Sequence, residues 1–180
     1  MGLEERKGLS FGPRDLGVLD GPPEKGFDVV VRLTSTALHA PMVALMMIDD
    51  ESASIFLRAS TGLSKNINPL IGFPLSGSVA SEIRAKNEPV MINDLARSDT
   101  AHAVEAVFLG AGSVIGAPVH GPADEAIGAL LAMHRSSNAW TKAQGEALEG
   151  FAYLTSQHIM LKASFETLRL MKQHSGTPYA

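Results

Sequence analysis

The sequence predicts an α+β domain organised around an antiparallel sheet, and three features of the chain carry that prediction. Two apolar runs, 113–119 and 127–133, flank His120-Gly121-Pro122-Ala123-Asp124-Glu125, the residue types with which a chain reverses direction. Both runs are apolar almost without alternation, so both faces of this hairpin must be covered, which places it inside a sheet. A second hairpin is predicted from the apolar run 42–48, the polar turn Asp49-Asp50-Glu51-Ser52 and a return strand over 53–60. Segments of helical period lie at either end of this region.

Residues 1–26 carry six glycines and Pro13, Pro22 and Pro23 without a sustained period, and are expected to form a flexible arm or a loosely docked extension. From Phe27, the positions Val30, Val31, Thr34, Ala37 and Leu38 define an amphipathic helix that ends before Pro41. In the return strand, Ile55, Leu57 and Ala59 alternate with Ser54, Phe56 and Arg58, which places it nearer an edge. Asn66, Asn68 and Pro69 mark a loop. A short helix is expected from about Gly77 to Lys86, capped by Ser76 or Ser78. A short strand follows over 89–92, then weak helical character over 101–109.

Thr141 with Gln144 forms a capping box that opens the last helix. Two stripes run along it. Leu148, Ala152 and Ile159 suit packing on the sheet, whereas Phe151, Leu154, His158, Leu161, Phe165 and Leu168 repeat by threes and fours as a heptad seam. That seam packs on the first helix of its own subunit, on a second copy of the chain, or on both in a four-helix arrangement. Ser175-Gly176-Thr177-Pro178 ends any helix.

At 180 residues, with 45% hydrophobic and 19% charged residues, the chain suits one globular core with extensions. The net charge of −4 and scattered Lys and Arg give no electrostatic footprint for nucleic acid. No cysteine is present, which removes disulfides, thiolate metal sites, cysteine nucleophiles and thioether-linked chromophores. The first residues lack a secretory apolar stretch and no run reaches the ~20 apolar residues that span a bilayer, so a cytoplasmic location and no membrane partner are expected.

Five stretches in order resemble the recurring segments of the GAF domain, a ligand-sensing relative of the PAS fold: Pro74-Leu75-Ser76-Gly77-Ser78-Val79-Ala80, Asn87-Glu88-Pro89-Val90-Met91-Ile92-Asn93-Asp94-Leu95, Ser113-Val114-Ile115-Gly116-Ala117-Pro118-Val119, Ile127-Gly128-Ala129-Leu130-Leu131-Ala132, and Trp140-Thr141. The resemblance covers residues 27–162, leaving 163–180 as a helix extension and tail. It implies a central antiparallel sheet of about six strands, with the first and last helices on one face. The segment 73–110 would roof a small-molecule pocket on the other. It also implies a sensory or regulatory domain in signal transduction, acting as a homodimer whose terminal helices pass a signal to an effector. The alternative is a structural dimerisation module whose pocket is filled by its own side chains.

The residues expected to line the pocket are Phe73, Val79, Asp94, Leu95, His102, Val107, Phe108, Ser113 and Ile115, with Leu45, Met47 and His134 from the sheet. The ligand is not identified by the sequence. The signature of cyclic-nucleotide-binding relatives is absent, since Lys65-Asn66 is reversed and no Phe precedes Asp-Glu by three residues. Relatives that reduce free methionine sulfoxide need cysteines, so an enzyme is not expected. Among six histidines, only His102 and His134 are placed to face a pocket, and neither has metal-ligand spacing. His102 and Glu105 form a same-face helical pair, expected at the surface. Ser76-Gly77-Ser78 is expected as an ordinary helix cap and Asp94 as a turn residue.

Overall fold

The fold, obtained as a computed structural model, describes residues 13–19, 22–64, 72–98, 102, 104–138 and 140–174. The loop expected around Asn66 to Pro69 and the helix stop after His174 lie outside the described residues. Helix α1 (Lys25–Leu38) leads into strands β1 (Met42–Asp49), β2 (Ser54–Thr61) and β3 (Phe73–Pro74). Helix α2 (Val79–Lys86), β4 (Val90–Ile92), β5 (Ser113–His120), β6 (Ala126–His134) and α3 (Lys142–His174) follow. All strand pairs are antiparallel, in the order β3-β2-β1-β6-β5-β4.

The β5–β6 hairpin is interior, as its two-sided apolar character requires, and β1 pairs with β6 to form the middle of the sheet. Every residue of β1 is buried. Alternation along the strands sends Val43, Leu45 and Met47 with Ile115, Ala117, Leu130 and Ala132 to one core, packed under α1 and α3. Met42, Ala44, Met46 and Ile48 join Val114, Leu131 and Met133 in a second core beneath α2 and the segment 104–111. The sheet is therefore sandwiched, with helices below and a roof above.

The ends of the elements follow local chemistry. His39 takes a left-handed conformation (φ 52°) that stops α1, and Pro41 prevents its resumption. Ser78 is the cap of α2, its Oγ accepting from the Ser81 amide at 3.0 Å. The Thr141 hydroxyl accepts from the Gln144 amide at 3.2 Å while the Gln144 carbonyl oxygen accepts from the Thr141 amide at 2.9 Å, the reciprocal pair of a capping box. The weak helical character expected over 101–109 is one wide π-turn at Val104–Phe108, and a separate 3-10 turn precedes it at Leu95–Arg97. Strand β3 has no signal in the sequence, because two residues hold no period and form a strand only by pairing with Ser54 and Ile55.

Residues 13–19 are docked: Leu16, Val18 and Leu19 are buried in the helix-side core, and the Arg14 guanidinium pairs with the buried Asp49 carboxylate. The Arg14 hydrogen bonds hold that carboxyl below its usual value, against the upward push of burial.

Gly62, which ends β2, tests how tightly the sheet meets the α1–β1 connection. Its φ is +74° and an added Cβ would lie 1.8 Å from the Pro41 carbonyl oxygen. Gly62→Ala is expected to cost about 2 to 3 kcal/mol, from strain and overpacking together. Gly17 has a similar φ of +65° but open space around it, so Gly17→Ala is expected to cost only about 1 kcal/mol. Urea unfolding midpoints of the two variants measure the difference; equal losses would show that backbone strain alone acts at Gly62.

Candidate functional site

The roof is built where the start of α2 meets the π-turn. Gly77 adopts φ +74° and its carbonyl accepts from the Val104 amide at 3.4 Å, which brings the two segments together. Glu105 is thereby carried inside: the residue is 0% exposed, and its Oε1 accepts from the Val79 amide at 3.0 Å. A carboxylate at a helix N-terminus satisfies an otherwise unpaired amide and complements the helix dipole. Its Oε2 has no hydrogen-bond partner. Burial pushes the Glu105 carboxyl up to about 7, and its bonds to backbone amides only partly oppose this.

His102 stands one turn earlier, with the Ala106 amide donating to its carbonyl at 3.0 Å. Only 4% exposed, its ring meets Glu82 of α2, Nε2 to Oε2, at 3.0 Å. Lys86 binds the other Glu82 oxygen at 2.7 Å. The hydrogen bond from Lys86 lowers the Glu82 carboxyl most, burial opposes it, and His102 adds to the lowering. Since an ionised carboxylate only accepts, Nε2 is the nitrogen that carries a proton toward Glu82. His102 Nδ1 also lacks a partner.

The sequence-predicted lining divides between the two faces. Phe73 and Val79 belong to the roof-side core, and Leu95 packs at its border. Phe108 lies against Phe73 with ring centroids 5.6 Å apart, yet is 53% exposed, and Val107 is 73% exposed and faces outward. Leu45, Met47 and Ile115 lie in the opposite core, under α1 and α3, because the register of β1 and β5 against β6 turns those positions downward. The roof-facing residues are instead Met46 and Val114. His134 packs on Trp140, 4.9 Å between centroids. Ser113 is buried and donates to the Ser136 carbonyl. Asp94 caps the 3-10 turn, accepting from the Ala96 amide at 3.0 Å.

Glu105 is the main residue that the sequence placed elsewhere: a surface helical pair with His102 was expected, whereas both are buried and His102 pairs with Glu82. One signal was present, a single acid within the apolar stretch Val104-Glu105-Ala106-Val107-Phe108. Gly116 on β5 completes the site, since a Cβ there would lie 2.7 Å from Ile83 Cδ1 and from Leu131 Cδ2, so its absence lets α2 settle on the sheet. Among the described residues no three His, Asp or Glu side chains converge as a metal site.

Away from the roof, a cleft of about 900 Å³ runs between the 14–17 turn and α3, lined in part by Leu16, Met160, Ala163 and Leu168. Glu24, at the start of α1, accepts from His158 at 2.6 Å and Lys162 at 2.7 Å of α3. Burial raises the Glu24 carboxyl, but these bonds outweigh it and hold it below its usual value. Phe27 meets the His158 ring edge-on. Two seam residues, Phe151 and His158, are thus turned to their own subunit. Leu154, Leu161, Phe165 and Leu168 are between 58% and 63% exposed.

A sequence model described as the GAF domain matches residues 22–159. Similar solved structures include the GAF domain of an Acinetobacter phosphoenolpyruvate-protein phosphotransferase, with 15% identity, TM-score 0.67 and coverage of 86% of this chain and 93% of that one. A methyl-accepting chemotaxis protein, residues 122 to 287, is 20% identical with TM-score 0.66, covering 87% and 98%. A free methionine-R-sulfoxide reductase from Neisseria meningitidis, solved with its substrate, is 16% identical with TM-score 0.64, covering 86% and 88%. No curated protein matches the sequence. Among the described residues, no helix is long and apolar enough to cross a membrane.

Proposed function

Because this chain belongs to the GAF-domain family, we propose that it is a non-catalytic sensory or regulatory domain. It binds a small molecule beneath the roof and passes the change through the paired α3 helices of a homodimer to a signalling effector. The observation that carries this reading is the pair of buried atoms without partners, Glu105 Oε2 and His102 Nδ1. An unpaired buried polar group costs about 1–3 kcal/mol, and both occur on one turn of the roof. Phe108, half exposed on the same turn, gives a route by which occupancy alters the surface.

The dimer reading rests on α3. At ~1.5 Å per residue, its 11 residues beyond Ala163, which still packs against the helix-side core, extend ~16 Å further. The far part of α3 displays Leu161, Phe165, Leu168 and Met171, all exposed. Such a contiguous apolar stripe on a helix suits a second helix of the same kind.

A second reading, a dimerisation module with a self-filled pocket, is favoured by the close packing of Phe73, Met46, Ile55 and Leu131 in the roof-side core. Thermal unfolding of the full chain with nucleotides, heme, nitrate and amino acids separates the two. A ligand at one hundred times its dissociation constant adds about 2.7 kcal/mol, so at least one class is expected to raise Tm by about 5–10 °C. Native mass spectrometry that finds no retained molecule, together with no shift from any class, would establish the self-filled module.

A further inference from the structure

A second space lies against α3, apart from the roof. The cleft there, of about 900 Å³, is within the range of about 300–1,000 Å³ that small-molecule sites occupy. It forms where α3 begins to leave the core. Ile159 is fully buried on the helix side of the sheet, whereas Ala163, one turn later, is only partly buried against that core. Met160, Ala163 and Thr167, three and four positions apart, share a face and line the cleft opposite Leu16, Gly17 and Pro122. A Cβ added at Gly17 would meet nothing within 4 Å, so that wall stands clear. The polar side chains of the lining are already paired. Arg14 binds Asp49, Lys162 binds Glu24, and Glu166 binds Arg169. The Ser164 and Thr167 hydroxyls donate to the Met160 and Ala163 carbonyls of their own helix, and Asp15 is engaged as well. What the walls still offer a visitor is apolar.

We propose that this cleft is a binding site for an elongated apolar molecule, whose alkyl chain lies along α3 between Met160 and Leu168. Those positions span about 12 Å of helix. An alkyl chain asks for no hydrogen bond, which matches walls whose donors and acceptors are spent. A charged group bound there would have to break an existing pair. The head of such a molecule stays at the rim, where Pro122 and Leu168 are exposed. The seam is a different face of the helix, since Leu161 and Phe165 take no part in the lining. A chain held in the cleft joins the outer turns of α3 to the docked 13–19 segment. The site therefore acts, independently of the roof, on the helix through which the signal is proposed to leave.

Decanol is the probe. Amide NMR spectra of the full chain are expected to show saturable shifts at Gly17, Ser164 and Thr167, with Val79 and Glu105 at the roof unmoved. Hydrogen exchange is expected to slow over residues 160–172. Thr167→Trp and Ser164→Trp put a ring into the cleft from exposed helix positions, so the fold is kept. Each is expected to weaken decanol about tenfold or more, whereas Phe165→Ser, on the seam, leaves it within about twofold. Decanoate is expected to match decanol within about threefold, because its carboxylate remains in water. Loss of binding in Phe165→Ser with none in the tryptophan variants places the chain on the seam and overturns the proposal. Shifts at Val79 and Glu105 in place of Gly17 overturn it in favour of the roof. No saturable shift overturns it and leaves the roof reading untouched. Shifts at Gly17 and Thr167 that follow protein concentration rather than decanol assign the cleft to a second copy and overturn it. Decanoate bound more than about tenfold tighter than decanol overturns the apolar class.

Discussion

Glu105→Gln is expected to be more stable than the parent at pH 8 by about 2 to 3 kcal/mol, and to match it within about 1 kcal/mol at pH 4.5. In the folded chain the Glu105 carboxyl is pushed from 4.5 up to about 7 by burial. Below pH 4.5 both states hold the proton and no difference arises. Between 4.5 and 7 the unfolded chain has released a proton that the native chain still binds, so native stability falls as pH rises. Above 7 the native carboxylate is charged, and a carboxyl carried that far on folding costs the native state about 3 kcal/mol. The glutamine side chain does not ionise and its carbonyl still accepts from Val79, so the descent between pH 4.5 and 7 disappears.

Glu24, Asp49 and Glu82 titrate in the opposite sense. Their carboxyls are lowered on folding, so they stabilise the native state above their unfolded values and lose that contribution as pH falls into the acid range. They act equally in parent and variant. Urea unfolding of both proteins at pH 4.5 and pH 8, taken as a double difference, isolates Glu105; parallel curves would show that its carboxyl is not held in a low-dielectric site.

Leu161→Glu is expected to convert the proposed dimer to a monomer. The side chain is 58% exposed in the single chain, so the substitution leaves the subunit's stability within about 0.5 kcal/mol. In a paired seam the same position is buried twice, and each new carboxylate meets its copy in an apolar contact, where an unpaired charge is strongly disfavoured. Light scattering coupled to gel filtration should give the parent at twice the chain mass of 19.0 kDa and the variant at that mass, with unchanged circular dichroism. An unchanged dimer would move the interface away from the α3 seam, and a monomeric parent would remove the dimer from the proposed function. Ile159→Glu, two positions earlier on the same helix, serves as contrast: Ile159 is fully buried on the sheet, so that charge is expected to unfold the subunit rather than separate subunits.

Much of the architecture was legible because it follows from local rules. Turn residues between apolar runs announced both hairpins, Pro41 bounded the first helix, and Thr141 with Gln144 announced the last. The continuous apolar character of the β5 and β6 segments foretold an interior position, because a strand with water on one side alternates. The stripe of Leu148, Ala152 and Ile159 likewise identified the buried face of α3, since a helix fixes which residues share a side.

The candidate site was only partly legible. Phe73, Val79 and His102 lie on the roof side, each on a segment whose neighbours constrain it. Leu45, Met47 and Ile115 went to the other face because a strand buried throughout carries no polar mark to say which half of its residues points up. The sequence by itself determined the order of elements, their caps, the two-sided burial of the middle strands and the absence of thiol chemistry, all of which depend on residues near one another in the chain or on composition. Only the tertiary structure decided that Met46 rather than Met47 faces the roof, that two residues at 73–74 become a strand, and that Glu105 leaves the surface to cap α2. Those outcomes depend on pairing register and on the approach of residues 26 positions apart, and a side chain's partner across such a distance is set by how whole elements pack.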